Sequence, residues 1–292
     1  MARMVGLGEV LWDIFPDGKR LLGGAPANFA FHAHQFGHEG IVVSRIGDDD
    51  LGREILRELT DRGPRTDAIQ VDPDRPTGTV QVTVADDGTH DFVITPDVAW
   101  DRLVATESLV ELVAGADVVC FGTLAQRAEA SRSAIDHLLT RAGGMKVFDI
   151  NLRQDDWSAD VIEAGLRHCQ VVKFNDEELA VLRRLDLVPT NDDTVAWCRG
   201  LLDKYEVRLV ALTRGSRGAM LVSADDWVDE VGVAVVVADS VGAGDAFTAA
   251  MADALLRDVP LDGVAAFANR LGAYVASQPG ATPTLPDAYR QA

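Results

Sequence analysis

An α/β fold, with a mostly parallel sheet and helices on both of its faces, is the fold class that the sequence predicts. Strand-like and helical segments alternate along most of the chain, which is the order that builds parallel sheets. The chain has 292 residues, 47% of them hydrophobic, so a single domain over residues 1–292 can bury a large core. Two neighbouring segments of alternating polar and apolar residues interrupt this order and predict a second, smaller sheet.

The alternation starts with a predicted strand at residues 4–9 and a helix at residues 26–36, which has Pro26 at its start and Gly37 just past its end. Four further strand and helix pairs are predicted at residues 41–46 and 50–62, 117–121 and 128–141, 146–150 and 158–168, and 171–175 with a helix from about Asp176. The remaining elements are a strand at 208–213, a β-like run at 231–238 and two long helices at 243–257 and 261–276.

The interrupting segments, residues 79–84 and 90–94, flank the turn-forming residues 86–88 and predict a hairpin. A hairpin cannot join a parallel core, so we expect it to form a small sheet at one edge and to pair with residues near 10–22. The small sheet would act as a lid, inserted in the domain as segments near 10–22 and 76–100. An exposed lid edge can pair across a homodimer or be covered by its own chain.

Composition excludes several classes of function. A formal net charge of −19 and a pI near 4.6 oppose binding to nucleic acid or anionic membranes, because no basic stripe exists to neutralise phosphates. The apolar runs are shorter than the roughly 20 residues that span a bilayer, and residues 1–10 do not resemble a signal peptide, so we expect a cytoplasmic protein. Cys120, Cys169 and Cys198 suit reduced core thiols. The six histidines show no metal-ligand spacing.

A glycine-rich motif, DSVGAGDAF at residues 239–247, opens the first long helix. Gly242 and Gly244 let the backbone approach a ligand, and the amides of Gly242, Ala243 and Gly244 would point outward from the positive end of the helix dipole. This arrangement suits a phosphoryl group in transfer, while Asp245 can accept the proton of a substrate hydroxyl. A tight turn with Asp245 as a helix cap explains the same residues equally well.

A second motif, GGAPAN at residues 23–28, precedes the first helix. Gly23 and Gly24 leave room for a sugar ring against the main chain, and the amide of Asn28 offers a donor and an acceptor to neighbouring hydroxyls. Asp13, after the first strand, can accept hydrogen bonds from sugar hydroxyls. A glycine turn and a solvated acid are the alternative explanation.

Together these motifs resemble the two signatures of the PfkB, or ribokinase-like, carbohydrate kinases, and they occur in that family's order. The resemblance runs from residue 6 to about residue 284, and residues 8–13 (GEVLWD) are particularly similar to the opening of bacterial fructokinases. It implies a ribokinase-like fold with a β lid, ATP as phosphoryl donor, Asp245 as catalytic base and the amides of residues 242–244 as an anion hole. It also implies a monovalent cation, potassium, held by Asp239, Val241 and Gly280.

Residues 149–153 (DINLR), at the carboxyl end of a predicted strand, resemble the Asp-x-Asn-x-Arg element of the family. Arg153 would then contact the substrate, although a surface ion pair explains it equally well. Family members commonly continue with Leu-Trp or an aromatic pair, whereas Gln154 and two aspartates follow here.

Two more motifs resemble nucleotide and metal elements of the family. Asn175 and Glu178 match its Asn-x-x-Glu motif, in which Glu178 would hold Mg²⁺ through water; the same pair also makes a good capping box. The run TRGSRG resembles the family's nucleotide loop, with Thr213 and Gly215 facing the phosphates and Gly218 giving the turn; a plain hairpin turn is the alternative. Asn269 matches the family position beside adenine.

The predicted activity is transfer of the ATP γ-phosphate to a primary hydroxyl of a small sugar, with fructose as the first choice. The second candidate substrate is 2-keto-3-deoxygluconate, whose carboxylate Arg153 would bind. Ribose and nucleosides rank lower as substrates. A dinucleotide-dependent oxidoreductase is disfavoured because Gly6 and Gly8 lack the third glycine of its fingerprint. A catalytically silent sugar-binding regulator is disfavoured by the presence of Asp245.

Overall fold

A large, mostly parallel sheet forms the centre of the protein, here in a computed structural model that describes residues 1–84, 90–189 and 191–290. Within these residues the sheet has nine strands in the order β13-β12-β11-β10-β9-β8-β1-β4-β5, and a second sheet has four in the order β3-β2-β6-β7. The strands are β1 Arg3–Leu7, β2 Leu11–Ile14, β3 Arg20–Gly23, β4 Glu39–Gly47, β5 Ile69–Asp72, β6 Gly78–Val84, β7 His90–Ile94, β8 Val118–Phe121, β9 Met145–Asp149, β10 Val171–Asn175, β11 Leu209–Thr213, β12 Ala219–Val222 and β13 Trp227–Glu230.

Helices cover both faces of the large sheet. They are α1 Ala25–Gln35, α2 Asp50–Arg62, α3 Glu107–Ala114, α4 Glu129–Arg141, α5 Ala159–His168, α6 Asp176–Arg184, α7 Thr194–Tyr205, α8 Ala243–Leu256, α9 Leu261–Ala276 and α10 Asp287–Arg290. One core cluster joins α1, α8 and α9 to one face of the strands, and another joins α3 to α7 to the other face. Neighbouring strand residues therefore point into different cores, as Val118 and Val119 do on β8, and this makes the strands apolar on both sides.

Parallel pairing extends from β5 to β11, whereas β12 and β13 are added antiparallel at one edge. Because the parallel strands share one direction, their carboxyl ends meet at one edge of the sheet, where an open α/β sheet binds its ligands. The α/β fold with helices on both faces is confirmed.

The small sheet confirms the predicted hairpin and its partner. β6 pairs antiparallel with β7, and β2 pairs parallel with β6 and antiparallel with β3. The pairing of the hairpin with residues near 10–22 is therefore as expected. The predicted turn at residues 86–88 lies outside the described residues.

The predicted β-like run at residues 231–238 is wrong. These residues form no strand, and Val231 and Val236 are 78% and 90% exposed. The chain leaves the sheet after β13 and passes against the loop before β12, since a Cβ on Gly232 would lie 2.1 Å from the Ser216 carbonyl oxygen. Apolar composition favoured a strand, but no neighbouring strand is available there to complete the hydrogen bonds.

Other predictions concern burial. All three cysteines are free and buried, as expected of core thiols. Within residues 1–84, 90–189 and 191–290, no helix combines the length and apolar character needed to cross a membrane. The elements α3, α7 and β5 were not predicted, because they fall outside the strand and helix pairs that the sequence pattern shows.

Candidate active site

The first turn of α8 lies at the centre of the site. Gly242 caps the helix with φ 77°, and no side chain caps it. A Cβ at Gly242 would lie 2.4 Å from the Cβ of Ala281, so both the backbone angle and the close approach of the following loop require glycine. The first N–H groups of a helix have no intrahelical acceptors, and Ala243 N makes only a long 3.4 Å hydrogen bond to Ser240 O. These amides can therefore bind an anion.

Asp245 lies in the first turn of this helix, and its carboxylate contacts a residue at the start of α1. Asn28 Nδ2 donates a 2.7 Å hydrogen bond to Asp245 Oδ2, across 217 residues of sequence. Asp245 does not cap its own helix, so the capping explanation of this residue is not what the structure shows. The two motifs predicted from the ends of the chain are brought together at one place.

Glycines let the small sheet approach the start of α1. A Cβ at Gly23 would lie 2.8 Å from Asp13 Oδ2, and a Cβ at Gly24 would lie 2.5 Å from the Glu9 carbonyl oxygen. Gly24 also has φ 109°, which side chains rarely adopt. Burial raises the pKa of Asp13 to about 6, although the charge of Arg153 opposes the shift. Asp13 is thus held at the edge of a partly desolvated pocket.

Glu9 is an acidic residue of the site that sequence reasoning did not select. It is 4% exposed, and its Oε2 has no hydrogen-bond partner among the described residues. Burial raises the pKa of Glu9 to about 7, with the nearby Asp245 carboxylate adding to the shift and Arg153 opposing it. Glu9 lines a small cavity together with Asp149, Asp245 and Thr248. Its position directly after β1, within GEVLWD, was the available signal.

A buried ion pair lies beneath the start of α8. Lys173 Nζ is 3.0 Å from Asp149 Oδ1, and the two side chains are 6% and 5% exposed. Thr248 Oγ1 lies 2.9 Å from Asp149 Oδ2 and 3.0 Å from the Gly244 carbonyl oxygen. Lys173 was also missed, although a lysine inside the apolar strand VVKF is an unusual residue that could have drawn attention.

The Asn175 and Glu178 motif forms the capping box that was one of its two explanations. Asn175 Oδ1 accepts from Glu178 N at 2.9 Å, and Glu178 Oε2 accepts from Asn175 N at 2.8 Å. Glu178 Oε1 accepts from Leu152 N at 2.8 Å, which ties this helix to the segment after β9. Each carboxylate oxygen keeps a further lone pair, so the donor set fits a metal held through water. Within the described chain, no group of three or more His, Cys, Asp or Glu side chains is arranged to bind a metal directly.

The predicted nucleotide loop follows β11 and turns into β12, so the hairpin explanation also holds. Gly215 and Gly218 have φ 54° and 93°, and a Cβ on Gly218 would lie 2.0 Å from the Glu230 carbonyl oxygen. Asn269 Nδ2, on α9, donates to the same carbonyl at 3.3 Å. Thr213 Oγ1 donates to Phe174 O at 3.4 Å. The loop and α9 thus meet at the end of β13.

The predicted cation residues also lie together. Asp239 Oδ1 accepts from Val241 N at 3.0 Å, and Asp239 Oδ2 accepts from Gly280 N at 3.2 Å. One carboxylate therefore joins the segment before α8 to the segment after α9. A carboxylate that lies between two loops offers an oxygen donor of the kind that a hard cation prefers.

Arg153 lies on the exposed segment after β9. Its Nη1 donates to the Leu152 carbonyl at 3.3 Å, and it forms no ion pair within the described ranges. Its charge nevertheless acts on both Glu9 and Asp13. The surface ion pair that was its alternative explanation is not observed within these ranges.

Comparison with known proteins identifies the class. The pfkB family of carbohydrate kinases, which are phosphotransferases with an alcohol group as acceptor, matches residues 14–288. The chain belongs to this family and is a sugar kinase, as the sequence motifs predicted.

Its relatives include a fructokinase of Klebsiella pneumoniae, 31% identical over 299 residues that cover 96% of this chain and 95% of the relative. The structure of an uncharacterized sugar kinase from Pyrococcus horikoshii in complex with ATP is 26% identical, with a TM-score of 0.81 and coverage of 94% of this chain and 93% of that one. A Vibrio cholerae fructokinase double mutant, bound to fructose, ADP and potassium, is 25% identical, with a TM-score of 0.77 and coverage of 98% and 96%.

Proposed function

We propose that the protein transfers the γ-phosphate of ATP to a primary hydroxyl of a small neutral sugar, with fructose as the first choice. The observation that carries the proposal is the 2.7 Å hydrogen bond between Asn28 and Asp245, which puts a hydroxyl-binding amide beside a carboxylate at a helix start. The three similar proteins described above support it, since two are named fructokinases and one is named a sugar kinase.

In this mechanism Asp245 is the base. The sugar hydroxyl oxygen forms a bond to the γ-phosphorus, its proton passes to Asp245, and the bond to the β-phosphate oxygen breaks with its electron pair leaving on ADP. The amides of Gly242, Ala243 and Gly244 hold the charge that develops on the transferring oxygens. The sugar would bind beside Asp245, against Gly23, Gly24, Asn28 and Asp13.

The charge of the pocket favours a neutral sugar over a sugar acid. Glu9, Asp13 and Asp245 would lie around the sugar, and the charge of Arg153 opposes the raised pKa of both Glu9 and Asp13. A substrate carboxylate would meet these acidic groups, and the repulsion would increase as Asp13 and Glu9 ionise with rising pH. Phosphorylation of 2-keto-3-deoxygluconate remains the alternative in which Arg153 binds the acid.

Nucleotide and cations have residues that fit them. Asn175, Thr213, Gly215, Gly218 and Asn269 would hold ATP along the end of the sheet. Mg²⁺ neutralises the phosphate charge when bound, and Glu178 would hold it through water. Asp239, with the backbone at Val241 and Gly280, would hold potassium.

The small sheet is the proposed lid and a possible dimer contact. Within the described residues, β3 and β7 are its edge strands. A homodimer that pairs these edges would cover them. Sedimentation equilibrium with and without sugar tests this, and a monomer under both conditions contradicts it.

The activity is tested by ADP formation with a panel of acceptors. Fructose, ribose, 2-keto-3-deoxygluconate and a nucleoside are each supplied with ATP and Mg²⁺, and the product is identified by mass spectrometry. We expect fructose to give the highest kcat/KM. A higher value with the sugar acid would favour the alternative substrate, and sugar binding without any ADP formation would favour the silent regulator.

A further inference from the structure

Lys173 and Asp149 form an ion pair whose two side chains are both buried. Among the described residues, Lys173 is the only lysine or arginine that is buried, at 5% exposure. Removing two charges from water costs free energy that their attraction often fails to recover, so a buried ion pair is weak evidence for a role in stability alone. The pair therefore calls for a functional explanation.

Lys173 lies against the first turn of α8. A Cβ added at Gly244 would be only 3.0 Å from Lys173 Nζ, so the ammonium group occupies the space that a side chain at residue 244 would fill. The start of a helix carries partial positive charge. An ammonium group at this end is repelled by the helix dipole, and the repulsion is relieved when an anion binds between them.

The surrounding carboxylates keep this lysine charged. Burial lowers the pKa of Lys173, but the charges of Asp149, Glu178 and Asp245 outweigh burial and hold it above its ordinary value. The Thr248 hydroxyl donates a hydrogen bond to the Asp149 carboxylate and is also within hydrogen-bond distance of the Gly244 carbonyl oxygen, one helix turn earlier. Asp149 and Thr248 thus fix the ammonium group against the backbone that forms the anion hole.

We propose that Lys173 is a further phosphoryl-stabilising residue, a fixed cation behind the amides of residues 242–244 that Asp149 and Thr248 hold in place. This inference rests on the proposed role of those amides as the anion hole. A preorganised cation beside these amides stabilises the charge that develops on the transferring oxygens, because it needs no reorganisation during the reaction. The effect belongs to the transfer step and not to the binding of ATP.

The test compares the wild type with Lys173→Met, Asp149→Asn and the double variant. Lys173→Met alone leaves Asp149 buried without a partner, so its defect combines two causes. In the Asp149→Asn background the hydrogen-bonded carboxylate is already absent, so loss of the ammonium group no longer leaves Asp149 buried without a partner and reports mainly on the phosphoryl group. We expect the double variant to have a kcat roughly 10-fold or more below that of Asp149→Asn, with the KM for ATP changed by less than about 3-fold.

Equal kcat values for Asp149→Asn and the double variant would overturn the inference, because Lys173 would then only neutralise Asp149. Lys146→Met, a lysine on β9 outside this cluster, is the control and should retain wild-type kcat.

If Asp149→Asn turns over too slowly for kcat to be measured, the affinity for ADP with aluminium fluoride and sugar is measured instead. The double variant should bind this mimic roughly 10-fold more weakly than Asp149→Asn while binding ADP equally; equal affinity for the mimic overturns the inference. The proposed function fails separately, if the wild type forms no ADP with any acceptor.

Discussion

Replacement of Glu9 by Gln should change how the stability of the protein depends on pH. Burial raises the pKa of Glu9 from its ordinary value of 4.5 to about 7 in the folded state. The folded protein therefore binds more protons than the unfolded chain between pH 4.5 and 7, and its stability falls as the pH rises through this window. Glu9→Gln keeps the shape of the side chain and removes this titration.

The magnitude follows from the two pKa values. A shift from 4.5 to about 7 is about 2.5 pH units, or roughly 3 kcal/mol at pH values above both. Between pH 5 and pH 8, Glu9→Gln should gain about 2.5 kcal/mol in free energy of unfolding relative to the wild type. The raised pKa of Asp13 also makes stability fall with pH, but it is common to both proteins and cancels in the difference.

Chemical denaturation of both proteins in buffers from pH 5 to pH 8 measures this difference. Glu111→Gln, at an exposed residue on α3, is the matched control for the replacement of Glu by Gln itself. A difference between Glu9→Gln and wild type that stays constant within about 0.5 kcal/mol over this range would refute the reasoning, because the carboxyl would then titrate alike in the folded and unfolded protein.

Three other predictions concern the start of α8 and its cation loop. Asp245→Asn should lower kcat by ~10² or more while the affinity for ATP, measured by calorimetry, stays near the wild-type value; wild-type turnover would exclude Asp245 as base. Potassium should raise kcat above that in sodium or lithium, and Asp239→Asn should abolish the difference; equal rates in all three salts contradict a cation site. Gly242→Ala should lower the unfolding free energy more than Gly18→Ala, since both glycines have positive φ but only a Cβ at Gly242 would clash with Ala281. Equal losses of unfolding free energy would mean that the loop at Ala281 moves aside at no cost.

Local pattern was enough to predict most elements of the large sheet and its helices. The helix at residues 50–62 has the predicted bounds because Asp49 caps it and Gly63 ends it in the left-handed region, and both signals are readable from sequence. The run at residues 231–238 failed for the opposite reason. Its valines favour a strand, but a strand also requires a neighbour, and whether β13 has one on its outer side is decided by the whole sheet.

The same distinction explains which site residues were found. Gly242, Asp245 and Asn28 lie in short motifs whose chemistry depends on neighbours in sequence. Glu9 and Lys173 carry weaker signals, an acid after β1 and a lysine inside an apolar strand, and their proposed roles depend on contacts with distant segments that neither signal specifies.

Lys173 is the clearer case. Its partner Asp149 is 24 residues earlier in the chain, and the helix turn it approaches is about 70 residues later. These three segments meet because β9 and β10 are adjacent parallel strands, with Asp149 and Lys173 in register, while α8 packs against the face of the sheet that includes Val147 and Val171. A single lysine in an apolar strand is a cost to folding unless something compensates it. The register of the two strands supplies the compensating carboxylate and also places the ammonium group beside Gly244 in the first turn of α8, the proposed anion hole. The sheet pairing thus fixes where this charge lies.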